Sequence, residues 1–144
     1  MKYNFTVVIS DDSTITSRAK IDITDKQHAI PMKVKKGVKR SIFPKETKEL
    51  YRILPSGKKL SGIPADSCWL FKSVTGKINV YSSLAELGYT YITAIQNGDD
   101  GPIVPLTKKN LEAIIGTPEN PRVLKLLEKN KLSQAIELFN GGAK

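Results

Sequence analysis

Apolar residues in the first two thirds of the chain recur at every second position. Tyr3, Phe5, Val7 and Ile9 fall on one face of residues 3–9, and the polar turn Ser10-Asp11-Asp12-Ser13 follows. Ile15, Ala19, Ile21 and Ile23 then alternate with Thr14, Thr16, Arg18, Lys20 and Asp22. A period of two with one hydrated side predicts a half-buried strand. Ile30, Met32 and Val34 repeat the period until Gly37 breaks it. Residues 41–44 read as a short strand stopped by Pro44. Residues 50–54 form another, followed by the turn Pro55-Ser56-Gly57-Lys58 and a return through 59–64.

Residues 68–74 carry Trp69, Phe71 and Ser73 on one side and Cys68, Leu70 and Lys72 on the other. Both sides are partly apolar, as in a central strand. Thr75-Gly76 reverses the chain. Ile78, Val80 and Ser82 run back, with Lys77, Asn79 and Tyr81 on the reverse side. Residues 88–96 form a third β-prone segment ending at Asn97-Gly98, a favoured hairpin turn. Asp99-Asp100-Gly101 lengthens that loop, and 102–106 return as an edge strand.

The period then becomes helical. Thr107 is the expected N-cap of a helix with Leu111, Ile114 and Ile115 as its stripe and Gly116 as its end. Thr117-Pro118-Glu119 predicts a second helix start, which Pro121 leaves open by a few residues, and Val123, Leu124, Leu126 and Leu127 its apolar face. Ser133 is the expected cap of a third helix, with Ala135, Ile136 and Phe139 inside and Gly141-Gly142 closing it. Strands first and helices last give an α+β chain. We expect a mainly antiparallel twisted sheet or partly open small β-barrel over residues 1–106. Two or three short C-terminal helices in 107–144 pack on it.

The chain has 144 residues, 40% hydrophobic and 26% charged. A chain of this size hides roughly 68% of its unfolded surface on folding, enough for a core without staples. A single Cys excludes an internal disulfide, and one Cys with one His cannot supply the four ligands of a structural zinc site. No cofactor is implied. No apolar run is long enough for a membrane helix. Residues 1–12 alternate too much to read as a signal h-region.

The formal charge is +9, from 23 Lys/Arg and 14 Asp/Glu, and it is concentrated. Lys33, Lys35, Lys36, Lys39, Arg40, Lys45, Lys48, Arg52, Lys58 and Lys59 are opposed over that stretch only by Glu46 and Glu49. Lys33, Lys35, Lys36, Lys39, Arg40, Arg52, Lys58 and Lys59 are the candidate binding residues. A surface of this kind attracts phosphate backbones or anionic lipid headgroups. The plainer reading is a solvated edge face, where lysines also discourage strand-to-strand aggregation. No aromatic residues interleave tightly with these lysines to stack bases.

No catalytic residue is assigned. Cys68 with His28 as base would need an exposed thiol of lowered pKa. Its neighbours Trp69 and Leu70 instead predict a small core hydrophobe. His28, in Asp25-Lys26-Gln27-His28, reads as a turn residue. Asp11-Asp12 and Asp99-Asp100 sit in expected turns, and residues 97–101 lack the alternating ligands of a calcium loop. The aromatics Tyr51, Trp69, Phe71, Tyr81, Tyr89 and Tyr91 are expected in the core or in cross-strand pairs rather than around a ligand.

Four stretches together resemble secreted proteins of unknown function from Bacteroidetes bacteria. They are Ser41-Ile42-Phe43-Pro44-Lys45-Glu46-Thr47, the Val74–Tyr81 hairpin with its Gly-Lys-Ile-x-Val-Tyr core, Val104 to Leu111, and Ala135 to Asn140. The resemblance spans nearly the whole chain and carries no activity. It implies export to the periplasm or cell surface, this sequence being the mature form. The expectation is a non-enzymatic exported binding module whose partner is an anionic macromolecule or envelope component. The alternative is a nucleic-acid-binding protein using the basic stretch 33–59; a hydrolytic enzyme comes third.

Overall fold

The computed structural model describes residues 2–24, 27–89 and 91–141. Asp25 and Lys26 of the turn expected before His28, Thr90 of the third β-prone segment, and Gly142 of the expected helix end lie outside the described residues. The fold is α+β: among the described residues there are ten strands, mostly antiparallel, in open sheets and three short helices after them. By packing, the chain divides into two compact units, residues 1–71 with 83–85, and residues 72–82 with 86–144.

The first unit contains β1 (Tyr3–Ile9), β2 (Thr14–Ala19), β3 (Ile30–Lys35), β4 (Val38–Ile42), β5 (Thr47–Ile53), β6 (Lys59–Pro64) and the first half of β7 (Trp69–Val74). Its sheet runs β7-β6-β5-β1-β2, while β3 and β4 pair only with each other. The alternation read from the sequence sets the burial, with Phe5, Val7 and Ile9 inside along β1 and Trp69 and Phe71 inside along β7. Ile30, Met32 and Ile42 of the β3–β4 hairpin join them in one core with Leu50 and Leu60. Trp69 is fully buried, and its indole N–H donates to the Thr47 hydroxyl at 2.9 Å. That hydroxyl donates in turn to the Pro44 carbonyl at 2.8 Å, so the ring is buried without an orphan donor. β2 ends at Ala19 rather than at Ile23, because Ala19 lies opposite Tyr3, the first residue of β1, and no partner remains. Ile23 is accordingly exposed.

The second unit contains the other half of β7, then β8 (Ile78–Ser82), β9 (Ile92–Asn97), β10 (Ile103–Pro105), α1 (Lys108–Ile115), α2 (Pro121–Glu128) and α3 (Leu132–Phe139). Its strand order is β10-β9-β8-β7. Ile78, Val80 and Ile95 meet Leu111, Ile115, Val123, Leu127, Ala135, Ile136 and Leu138 in a second core. The helical stripes thus cover one face of this sheet. Asn140, just past α3, ties helix to strand. Its side-chain amide donates to the Ile78 carbonyl at 3.0 Å and accepts from the Ile78 N–H at 2.9 Å.

Other boundaries also differ from the sequence reading. β9 begins at Ile92, not 88, because Gly88 (φ 102°) and Tyr91 (φ 54°) are left-handed and cannot sit in a ladder. α2 begins at Pro121, the later of the two prolines, rather than at Pro118. Asn120, forced to extended backbone by the following proline, caps it by accepting from the Arg122 N–H at 3.0 Å. α3 begins at Leu132, with Lys131 as a cap position that makes no side-chain bond, and buries Leu138 more deeply than Phe139. The strand expected at 41–44 is β4, which ends at Ile42 and gives way to a 3-10 turn at Pro44–Glu46. Thr107 and Gly116 cap α1 as expected.

Candidate anion-binding surface

β2 and the β3–β4 hairpin together enclose a hollow of about 600 Å³ in the first unit. Lys2, Ser17, Arg18, Ala19, Lys20, Asp22, Pro31, Lys33 and Lys39 line it. Two hydrogen bonds donated by backbone N–H groups border it. The Lys33 N–H donates to the Ser17 hydroxyl at 3.1 Å, and the Asp22 N–H donates to the Ala29 carbonyl at 2.8 Å. Period-two alternation leaves Arg18 on the wet side of β2 while Ala19 goes to the core. Lys33 and Lys39 are direct cross-strand partners. Like charges placed opposite one another disfavour a hairpin, and an anion between them would offset that repulsion.

Five cations therefore face the hollow against one carboxylate. The Thr24 hydroxyl and N–H both donate to Asp22, which holds its carboxyl below the ordinary value of 3.8. Asp22 is thus ionised at neutral pH and the local balance is four positive charges. Concave walls focus such a field and raise the local concentration of anions. Among the described residues, none of the five cations forms an ion pair.

The expected binding residues separate. Lys33 and Lys39 line the hollow, and Lys35 and Lys36 are exposed around the adjoining turn. Arg40 is paired with Glu46. Lys59 is paired with Glu49 and lies 4.2 Å from the Tyr51 ring centre, while Lys58 is exposed in the β5–β6 turn. Arg52 is not on the surface. It is buried, its Nε–H donates to the Ala85 carbonyl at 2.7 Å, and its guanidinium lies 3.7 Å from the Tyr3 ring centre. Lys2, Arg18 and Lys20 were not among the candidates. Alternation marks Arg18 and Lys20 as solvent-facing, but nothing local says that the hairpin comes to lie beside them.

The residues considered for catalysis stand differently. Cys68 is half-buried, and desolvation raises its thiol above the ordinary 9.0, the opposite of activation. His28 holds its Nδ1 in a buried position without a hydrogen-bond partner among the described residues. The Ser13 hydroxyl and N–H tie Asp11 within its turn. The 97–101 loop is lashed to the strands. Asp99 accepts from the Asn79 amide at 2.8 Å, and the Asp99 and Gly101 carbonyls accept from the Gln96 amide at 3.2 and 2.9 Å. Trp69, Phe71 and Tyr81 are buried, whereas Tyr91 is half exposed. Among the described residues no three of His, Cys, Asp and Glu gather so as to hold a metal ion, and no helix is long and apolar enough to cross a membrane. No family model, curated protein or solved structure matches the chain.

Proposed function

We propose that the protein is a non-catalytic binding module whose first unit holds an anionic macromolecule or envelope component. The observation that carries this reading is the hollow itself, with five cations, three on β2, β3 and β4 and two just outside β1 and β2, around a single carboxylate. None of its lining residues is aromatic, which favours a ligand held by repeated charge over one held by stacked bases. The reading includes export to the periplasm or cell surface, which rests on the four sequence stretches that resemble secreted proteins. The test is retention on immobilised heparin and on duplex DNA across salt. Retention at roughly 50 mM salt should fall steeply as salt rises, with a log–log slope near −0.9 per phosphate neutralised on DNA. Stronger retention on DNA than on heparin would move the assignment to nucleic acid. Passage through both columns at low salt would end the proposal.

A further inference from the structure

Between the hollow and the end of the hairpin the charge pattern acquires an apolar element. Lys33 pairs with Lys39 and Lys35 with Val38, so the register shifts and Val34 opposes no residue. A bulge of this kind re-aims a side chain out of the ladder. Val34 is 38% exposed and Val38 40% exposed. Ile30, Met32 and Ile42, further down the same hairpin, are fully buried. Lys33, Lys35, Lys36 and Lys39 flank the two valines along the chain, all of them exposed. The turn between them is tight, with Gly37 at φ +76° and open space around its α-carbon. Two exposed β-branched apolar groups among lysines at a hairpin end match neither a core nor a purely ionic contact. A soluble polyanion would have no use for the valines.

We infer that the β3–β4 tip docks on an anionic phospholipid surface. The lysines meet headgroup phosphates, and Val34 and Val38 enter the boundary between headgroups and acyl chains. Basic residues beside an anionic leaflet and a few buried methyl groups act together in such contacts, each too weak alone. This rests on the proposed anion-binding function and names its partner.

The experiment is co-sedimentation of the full chain with vesicles of phosphatidylcholine alone and with one third phosphatidylglycerol, beside the heparin column. The protein should bind the anionic vesicles and leave the neutral ones. Val34→Ser with Val38→Ser should weaken vesicle binding roughly tenfold without moving the heparin elution. Lys35→Glu with Lys36→Glu should weaken it by more than tenfold, each lysine being worth roughly fivefold near the surface. In a Val34→Trp variant, emission should shift to the blue on adding anionic vesicles only. The buried Trp69 supplies a constant background. Heparin retention without vesicle binding would overturn the lipid partner and leave the proposed function standing. Vesicle binding unchanged by the serine pair would overturn the role of the tip, and failure on heparin and vesicles alike would remove both.

Discussion

Cys68 shows how one residue's surroundings decide its chemistry. It stands just before β7, beside a fully buried Trp69, and is itself only half-buried. Desolvation disfavours the thiolate, so the folded pKa lies above the ordinary 9.0. For an acid whose folded pKa is raised, the stability contributed is complete below the unfolded value and is lost as pH climbs past the folded one. The kinetic consequence is easier to measure. At pH 8 native Cys68 should react with iodoacetamide several-fold more slowly than the same thiol in denaturant, because thiolate is the reacting form. Native labelling as fast as in the unfolded chain would revive the thiol as a nucleophile. His28, the one candidate base, would then need to be placed within its reach.

At the level of elements, the strands were legible because alternation is a local signal, and β1, β5, β6 and β7 lie where the period of two puts them. Helix and strand ends were less legible. The start of α2 depended on which of two prolines took the first helical position, and the start of β9 on left-handed backbone at Tyr91, a residue type that rarely adopts it. Long-range pairs left no local trace. The Asn140 amide replaces a strand neighbour for Ile78, yet the sequence shows only a residue after a helix. Gly62 is similar, since its reason lies across the sheet. It pairs with Phe71, and a methyl group on Gly62 would meet the Phe71 ring at 2.6 Å. Phe71 is fully buried, so the ring has little room to retreat. Gly62→Ala should therefore lower stability by about 1–3 kcal/mol, the usual cost of overpacking, read as a lower urea midpoint at unchanged slope. Gly57→Ala makes a useful comparison, because open space surrounds that position and its loss comes only from a φ of +90°. Relief of the Gly62→Ala defect by Phe71→Leu would assign it to the ring.

Across the whole molecule the charge is divided unequally. Residues 1–71 with 83–85 hold fourteen Lys/Arg and seven Asp/Glu, a balance of +7, while the remaining residues hold nine and seven, a balance of +2. Density of lysine along the chain marks the same unit as the hollow but a different set of residues. Arg52, inside the dense stretch, is a buried structural cation. Lys2, Arg18 and Lys20, outside it, complete the hollow. Only the approach of β3 to β2 gathers them, and no periodicity encodes that approach. A site and a mere excess of charge make different predictions when net charge is held equal. Lys33→Glu with Lys39→Glu and Lys108→Glu with Lys109→Glu each change the formal charge by four, from +9 to +5. The first pair lines the hollow; the second is exposed in the first turn of α1, where acidic residues suit the helix dipole. If the hollow is the contact, the first pair should remove most heparin retention and flatten the salt slope by roughly two, one for each cation lost. The second pair should shift elution only slightly. Equal losses from the two pairs would mean that retention reports bulk charge, and the hollow would lose its standing as a site.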